Sequence, residues 1–516
     1  MKKICNYRPI VLFCLALIVA ISLSLYAKTS IIAKIALISI FAIILIILAV
    51  LLIVKKWRRF AIDNIGKFVV VLLALAVGSL SMFVQFANVK SAQVEKGTYV
   101  TYARVYSMMT KNAYGQTIIE VDSIKVVSSD EVKELKGSGK VTIYSGSVDD
   151  LSVGDYVEMT ATVMSIDETL SDSYEINNVG NGIYYKIYVS KENIVPLGKN
   201  ETSVFEKIQV SAWNLLSNNM SQDNAAISYS MFFGNTAFVD SDTLQDFRDS
   251  GIAHLLAVSG LHLGFLVMIL TFITKKLKFN KYVEFAVITV IMFLYALICG
   301  FSSSVFRAFI MTVILLYSKL RYKEYDSLNS IALSAIIILL INPLKLWNVG
   351  FQLSYFAVLG IILLGKPLEE LLGKIFNKKM AATLSVMIAV QLSVSVPIIK
   401  FFKNFSVLSM LTNILAIPLA NIIFVVLFFS IVLSLIMPFV SPILIAAQYA
   451  VVPLIWLSNV VASVPFAVIK TKFNSAMMVA ATTTLVVCSD YIFIQKKYKV
   501  MTAVVGMLAI VCLLIF

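Results

Sequence analysis

The chain has 516 residues, of which 59% are hydrophobic and 14% charged, and its mean hydropathy is +0.89. Soluble domains carry about a quarter charged residues, so this composition excludes an ordinary soluble protein and predicts a polytopic membrane protein. The formal net charge is +14, yet residues 90–200 hold 11 Lys and Arg against 15 Asp and Glu, a net charge of −4. Elsewhere the basic residues gather at turns between apolar runs, which is typical of cytoplasmic loops rather than of a nucleic-acid patch.

Three apolar runs precede the polar block, at residues 9–27, 31–54 and 68–86. The segment Leu25-Tyr26-Ala27 lacks the small residue that a signal-peptide cleavage site requires, so the first run is predicted to remain as a helix. Basic residues at the N-terminus and at 55–59 indicate a cytoplasmic N-terminus. Residues 90–200 are then expected on the extracytoplasmic side of the cell membrane.

The polar block alternates apolar and polar residues with the period of β-strands. The predicted strands are 99–106, 117–127, 140–145, 156–166 and 182–190, separated by glycine-containing turns. Five short strands in about 100 residues favour a small β-barrel. Ten tyrosines and the basic strip Lys133, Lys136 and Lys140 are candidates for binding single-stranded nucleic acid. The alternative, ordinary exposed tyrosines on a folded sheet, stays open because the net negative charge repels phosphates.

Residues 247–264 contain both histidines of the chain and lead into an apolar run. Polar groups at membrane depth must find partners or line a wet cavity, so His254, Ser259 and His262 are candidate site residues. Gly260 and Gly264 lie four residues apart, which permits close approach of a neighbouring backbone. The helix is predicted to break at Ser259-Gly260.

Further polar residues interrupt later apolar runs. Insertion of an arginine such as Arg307 near the centre of a membrane helix costs about 2.5 to 3.5 kcal/mol. Arg307 therefore meets DNA phosphates, holds a carboxylate or extends to the outer interface. The uncharged candidates are Gln352, Ser354, Gln391 and Asn413. They either hydrogen-bond neighbouring helices or together line a hydrophilic path for a polyanion.

The sequence thus predicts a mainly α-helical polytopic membrane protein of about 13 transmembrane helices with an inserted extracytoplasmic β-barrel. Residues 405–438, interrupted at Pro418, form either one long span or a half-helix followed by a span. The predicted domains are N-terminal helices at 1–89, the barrel at 90–200, amphipathic outer-surface helices at 201–250, a channel core at 251–470 and C-terminal helices at 471–516.

The run His254-Leu-Leu-Ala-Val-Ser-Gly-Leu-His-Leu-Gly264 resembles the signature of the ComEC family of competence membrane proteins. Segments 301–308, 342–343, 350–361 and 413–418 resemble the core of the same family in the same order. The resemblance implies an oligonucleotide-binding (OB) fold for the barrel. It also implies a membrane channel that passes single-stranded DNA inward during natural transformation.

The resemblance further implies partners: membrane lipid, an external DNA receptor and a cytoplasmic DNA-translocating ATPase. We expect a short form of the family without the C-terminal metallo-β-lactamase-like domain, so that degradation of the second strand falls to a separate nuclease. Two histidines and no Cys-x-x-Cys pair provide no zinc site, and no cofactor is expected. Gly360-x4-Gly365-Lys366 matches a phosphate-binding loop, but Pro367 follows and the segment is a predicted membrane helix.

Two other function classes remain alongside a non-enzymatic channel. An intramembrane serine hydrolase would use Ser259, although no histidine follows His262 to serve as its base. A small-solute transporter would show inverted repeats, and none is evident in the sequence.

Overall fold

The computed structural model describes residues 8–29, 55–107, 110–111, 116–128, 131–144, 151–167, 170, 172–199, 202–437, 441–465 and 467–470, with short stretches between 477 and 506. The predicted spans 31–54, 475–494 and 500–516 therefore lie outside the described residues, apart from those short stretches. The same holds for most of the predicted C-terminal domain, 471–516.

Two compact units make up the chain. The barrel unit contains Arg8–Val210 and Ala332–Asn348, and the helical unit contains Ser211–Ile331 and the described residues from Val349 onwards. The sequence boundaries grouped Ala332–Asn348 with the channel core. The structure instead packs this segment with the barrel unit, because it hydrogen-bonds to a helix inserted between two barrel strands.

Two long helices lead into the barrel, α1 (Pro9–Thr29) and α2 (Lys55–Ser91). They pack closely at Gly78, where a Cβ atom would lie 2.8 Å from Cβ of Ala20. Beyond the end of α2, Gln93 donates to the carbonyl of Ile166 at 3.0 Å and accepts from the hydroxyl of Ser165 at 2.8 Å. The barrel is therefore fixed to the helix that precedes it.

The strands of this unit are β1 (Gly97–Val105), β2 (Thr110–Lys111), β3 (Thr117–Ser128), β4 (Glu131–Glu134), β5 (Ser138–Ile143), β6 (Asp155–Ser165), β7 (Ile183–Val189) and β8 (Ile194–Lys199). Five of them close a barrel in the order β1-β3-β5-β7-β6, with β6 returning to β1. All these pairings are antiparallel except β5 with β7, which is parallel. The predicted five-stranded, OB-like barrel is confirmed, and each predicted strand matches to within two residues at either end.

Alternation along the strands produces the barrel core. In β6 and β7 buried residues alternate with partly exposed ones, so that Val157, Val163, Tyr185 and Ile187 point inward. At the surface, Arg104 donates two hydrogen bonds to Asp122, at 2.6 and 2.8 Å, and a third at 3.3 Å to Glu206. The hydrogen bond to Asp122 raises the pKa of Arg104 further above its usual range.

The helix α3 (Ser173–Gly180) lies between β6 and β7 and packs on a 3-10 helix, Pro343–Trp347. The remaining helices are α4 (Val204–Asn219), α5 (Gln222–Phe233), α6 (Ser241–Asp249), α7 (Gly260–Lys276), α8 (Lys281–Ile298), α9 (Ser303–Leu320), α10 (Ser327–Ile341), α11 (Val349–Leu372), α12 (Lys378–Phe402), α13 (Ser409–Ile436) and α14 (Ile443–Ala462). Two short strands, β9 (Asn404–Ser406) and β10 (Val468–Lys470), pair antiparallel in the helical unit.

Eight helices in the described part of the chain are long and apolar enough to cross a membrane: α1, α2, α8, α9, α11, α12, α13 and α14. The helices α7 and α10 coincide with two further predicted spans but are shorter, with 17 and 15 residues. The multi-pass prediction is therefore confirmed, and the number 13 is approximate. The segment around Pro418 forms one continuous helix, α13.

The helix α5 differs from the amphipathic surface helix that the sequence suggested. All ten residues from Asn224 to Phe233 are buried, whereas α4 and α6 carry exposed residues. The physical reason is that small and aromatic residues surround the axis of α5, so it has no charged face to leave in solvent. It ends at Gly234, whose φ of 78° forms a left-handed cap.

Candidate functional site

The helix α7 begins at the predicted break. Ser259 is its N-cap with extended backbone angles, and Gly260 is its first helical residue. His262 is fully buried at the third helical position, where Nδ1 accepts a hydrogen bond from the backbone N–H of Ser259 at 3.4 Å. Glu or Gln has this role in a capping box, so His262 stabilises the start of α7. A neutral imidazole that accepts at Nδ1 carries its proton on Nε2.

Arg307, on α9, lies against this helix start. A Cβ atom at Gly260 would be 2.5 Å from Nη2 of Arg307 and 3.5 Å from Cβ of Ala308. Only 6% of Arg307 is exposed, and Nη1 donates to the backbone carbonyl of Ser354 at 3.0 Å. The surrounding helices therefore enclose the side chain of Arg307.

Several polar atoms at this helix start have no hydrogen-bond partner among the described residues. They are His262 Nε2 and Arg307 Nε, together with the hydroxyl proton of Ser259, whose oxygen accepts from the backbone N–H of His262 in the capping box. Buried polar groups in proteins are nearly always hydrogen-bonded, so each such exception needs an explanation. Three of them within one small region mark this place as the candidate site.

The other candidates from the sequence fall into separate groups. Gln391, on α12, donates to the hydroxyl of Ser409 on α13 at 2.9 Å, an interhelical hydrogen bond of the kind expected. Asn413 donates to the carbonyl of Ser409 at 2.7 Å, and its Oδ1 is buried without a partner among the described residues. Gly251 packs directly on Ser409, so no side chain fits there.

Gln352 accepts a hydrogen bond from Nζ of Lys400 at 3.5 Å, which places a basic group of α12 beside α11. Ser354 contacts the hydroxyl of Ser304 at 3.3 Å, next to the carbonyl that holds Arg307. His254 lies in the 3-10 helix Ala253–Leu255 and is exposed. The structure therefore brings Ser259, Gly260, His262, Arg307 and Ser354 together, with His254 close enough to His262 for their charges to interact. It leaves Gln352, Gln391 and Asn413 in other surroundings.

An aromatic cluster that sequence reasoning missed supports His262. The imidazole stacks on Phe424 of α13 with ring centroids 4.7 Å apart and planes 7° apart. Tyr295, on α8, packs edge-on against Phe424 and donates its hydroxyl to the carbonyl of Phe232 at 2.7 Å. The sequence shows aromatic residues in α5 and α13 that could have pointed to this cluster. Aromatic residues are common in apolar helices, however, and their positions in the sequence do not show which residues they contact.

In the barrel, the three candidate lysines occupy different places. Lys133 is exposed on β4 and Lys136 is exposed in the turn before β5. Lys140, on β5, lies beside Lys186 of β7 in the parallel register. Both ammonium groups lie over the ring of Tyr174, at 5.4 and 5.7 Å from its centroid.

Stacked tyrosines continue the same surface of the barrel. Tyr144 and Tyr188 have ring centroids 5.8 Å apart, and 55% of Tyr144 is exposed. Glu175 forms an ion pair with Lys186 at 3.0 Å, and Glu120 is the β3 neighbour of Lys140. This surface therefore combines aromatic rings with lysines, while carboxylates neutralise part of the positive charge.

Asparagine side chains join α3 to the 3-10 helix of the barrel unit. Asn342 donates to the carbonyl of Gly180 at 2.9 Å, and Asn348 donates to Oδ1 of Asn177 at 2.8 Å. Lys345 donates to Oδ1 of Asn181 at 2.7 Å, and burial lowers its pKa. We call this group of contacts the asparagine junction.

Comparison with known proteins assigns the chain to a family. The family model described as Competence protein matches residues 231–496, slightly more than half of the chain. The chain belongs to the competence protein family. The matched region contains every candidate residue of the helical unit, including the whole helix start of α7 and Arg307.

Curated relatives align with the chain over shorter regions. ComE operon protein 3 of Bacillus subtilis is 32% identical over 202 residues, which are 38% of this chain and 25% of that protein. Recombination protein 2 of Haemophilus influenzae is 30% identical over 139 residues, 26% of this chain and 18% of that protein. The uncharacterized protein MG316 of Mycoplasma genitalium is 34% identical over 116 residues, 22% of this chain and 29% of that protein.

The aligned parts of this competence-family chain span less than a third of each of these relatives. No solved structure matches the chain.

The geometry gives no support to a serine hydrolase at Ser259. A nucleophilic serine needs a base within hydrogen-bond reach of its hydroxyl. In the described structure no base accepts the hydroxyl proton of Ser259, and Nδ1 of His262 is occupied by a backbone N–H. Nor do three His, Cys, Asp or Glu side chains gather into a metal site anywhere in the described ranges.

Proposed function

We propose that this chain is a channel of the cytoplasmic membrane that takes up single-stranded DNA during natural transformation. Membership of the competence family carries the proposal, because the match covers the helical unit where the buried polar side chains lie. In this proposal the protein is a conduit and not an enzyme.

The polar groups of the helical unit suit the passage of a polyanion. Arg307 and Lys400 supply positive charge on apolar helices, and Gln391, Asn413 and Ser354 supply hydrogen-bonding groups. Ionisable groups inside membrane helices are costly and are typically found on substrate pathways. We propose that His254, Ser259, Gly260, His262 and Gln352 belong to the same path.

We propose a cytoplasmic N-terminus and an extracytoplasmic barrel. The lysines at the C-terminal end of α7, Lys275 and Lys276, support this orientation, since it places them on the cytoplasmic side. DNA then enters from the outside with the help of an external receptor, and a cytoplasmic ATPase supplies the energy. The complementary strand is removed by a separate nuclease.

Deletion of the gene tests the proposal. Uptake of labelled DNA into a protected cytoplasmic pool should be lost and should return when the wild-type chain is expressed from a second locus. DNA bound to the cell surface should persist in the deletion strain. Normal internalisation without the chain contradicts the channel function.

We further propose that the barrel contacts single-stranded DNA through Lys133, Lys136 and Lys140, with Lys186 and the stacked rings of Tyr144 and Tyr188 alongside. Bases stack on aromatic rings for about 1 to 3 kcal/mol each, and lysines neutralise phosphates. The ion pair of Lys186 with Glu175 reduces the positive charge, so moderate affinity and steep salt dependence are expected.

Full-length protein carrying Lys136→Glu or Lys140→Glu should bind oligothymidylate more weakly than wild type, with a shallower dependence on salt. Lys191→Glu is the matched control, because Lys191 is an exposed lysine of the same unit outside the proposed surface. Equal losses in all three variants indicate a general charge effect and remove the barrel surface from the proposal.

A further inference from the structure

The start of α7 combines two sources of positive potential. The first N–H groups of a helix lack partners within that helix and carry a partial positive charge of about half a proton. The guanidinium of Arg307 lies against Gly260, the first residue of the helix. A cation at a helix N-terminus is electrostatically unfavourable, so an anion is needed to make the arrangement stable.

No side chain in the described structure supplies that anion. Arg104 and Lys186 in the barrel unit form ion pairs with carboxylates, whereas no carboxylate of the described residues pairs with Arg307. The ionisable groups that act on Arg307 are the phenols of Tyr325 and Tyr355 rather than a carboxylate. A buried charge without a partner costs several kcal/mol, so a ligand that neutralises it binds with a corresponding gain.

Hydrogen-bond donors at the start of α7 are available to orient an anion beside this charge. Nε of Arg307 has no hydrogen-bond partner in the described structure, and Nη1 is already held by the carbonyl of Ser354. The hydroxyl of Ser259 accepts from the backbone N–H of His262, which leaves its own proton free to donate. The Ser354 carbonyl therefore orients the guanidinium and leaves its remaining N–H groups available. Gly260 allows the guanidinium to pack directly against the first turn of the helix, since any side chain there would displace Nη2.

We propose that the N-terminus of α7, with Arg307, Ser259 and Gly260, is a binding site for one phosphodiester group. A phosphodiester carries a single negative charge, which one guanidinium and a helix N-terminus neutralise, and it accepts hydrogen bonds from the free N–H and hydroxyl donors. His262 is a positioning residue here, because it fixes the first turn through the backbone N–H of Ser259. The assignment of DNA as the source of this group rests on the proposed function.

Dimethyl phosphate, a phosphodiester monoanion, tests the site without requiring DNA transport. The thermal stability of full-length protein in non-ionic detergent should rise with dimethyl phosphate concentration, beyond the effect of sodium chloride at equal ionic strength. Arg307→Gln should abolish this rise. Lys319→Gln, which removes an exposed cation near the other end of α9, should behave as wild type.

Two further variants keep the test decisive if Arg307→Gln folds poorly. Gly260→Ala retains the charge but displaces the guanidinium, and Arg307→Lys retains the charge without the planar donor set. Each should raise the dissociation constant for dimethyl phosphate about tenfold or more, the scale of one lost charge-assisted hydrogen bond. Unchanged affinity in Gly260→Ala and Arg307→Lys, or the absence of any rise in the wild type, overturns the site.

The two sources of phosphodiester are separated by repeating the measurement in phosphatidylcholine nanodiscs. An Arg307-dependent rise with oligothymidylate assigns the site to DNA, and the salt slope of binding should fall by about 0.7 in Arg307→Gln. A rise with added phosphatidylglycerol alone overturns DNA as the source, whereas the dimethyl phosphate result still stands. The proposed channel function is tested separately, because normal DNA uptake in the deletion strain would contradict it without affecting the dimethyl phosphate result.

Discussion

At the scale of single residues, His262 has a structural role that determines which substitution it tolerates. Glutamine is a preferred residue at the third position of a capping box, so His262→Gln should keep the hydrogen bond to Ser259 and normal abundance. His262→Leu removes the acceptor and should lower stability by about 1 kcal/mol. Thermal unfolding in detergent and membrane blots measure both effects. Wild-type DNA uptake by His262→Gln would remove His262 from the proposed path.

Two glycines offer a matched comparison between a site and a packing contact. A Cβ atom at Gly260 meets the end of the flexible Arg307 side chain, whereas one at Gly360 meets Ser393 and, at 2.7 Å, the backbone carbonyl of Ala389. Gly260→Ala should therefore reach the membrane at normal abundance and reduce DNA uptake. Gly360→Ala should lower abundance, because overpacking against a backbone costs about 1 to 3 kcal/mol.

Quantitative membrane blots beside a transformation assay measure this comparison. If both variants lose abundance equally, Gly260 is a packing residue and its link to uptake is indirect. The close contact of Gly360 with Ser393 and Ala389 also accounts for the glycine that begins the false phosphate-loop match. The glycine is there because α11 and α12 approach closely, which is a reason that the motif alone does not contain.

The sequence indicated which residues are candidates for the site, but not which of them contact one another. The break at Ser259-Gly260 follows from local backbone preferences and was predicted correctly. The position of Arg307 against Gly260 joins residues 47 apart across two helices and depends on how those helices pack. An isolated helical sequence specifies which faces are apolar but not which neighbour each face meets, so three alternatives for Arg307 remained open.

At the scale of elements, the asparagine junction should contribute measurable coupling. The hydrogen bond between Asn348 and Asn177 is worth about 0.5 to 1.5 kcal/mol, and a double-mutant cycle isolates it from the separate effects of each change. Asn177→Ala and Asn348→Ala should each lower the melting temperature, and the double variant should lower it by less than the sum. Asn193→Ala, at an exposed position of the same unit, is the control.

Strict additivity of the two substitutions would show that this hydrogen bond contributes no coupling between α3 and the 3-10 helix. The sequence suggested Asn342-Pro343 as a family feature but gave no partner for it. Its hydrogen-bond partner, the carbonyl of Gly180, lies 162 residues away at the end of a helix of only eight residues. The barrel strands were predictable because a period of two along 6 to 12 residues is a local property.

At the scale of the whole molecule, orientation in the membrane is the main expectation that remains to be measured. Replacement of the five native cysteines allows single cysteines to be introduced at Val132 and Lys378, which are both exposed. An impermeant thiol reagent should label Val132→Cys in intact cells and should label Lys378→Cys only after the cells are opened. The reverse pattern inverts the proposed orientation and places the barrel in the cytoplasm.

The asparagine junction also orders events during synthesis. Barrel closure pairs β1 with β6 and β5 with β7, so it needs no residue beyond Val189. The residue that bonds Gly180 is made 162 residues later, a delay of roughly 8 to 32 s at the usual rate of translation. During that interval the barrel has closed while α3 still exposes Asn177 and the carbonyl of Gly180. A nascent chain stalled before Asn342 should therefore present α3 to proteases or chaperones that the finished protein no longer admits.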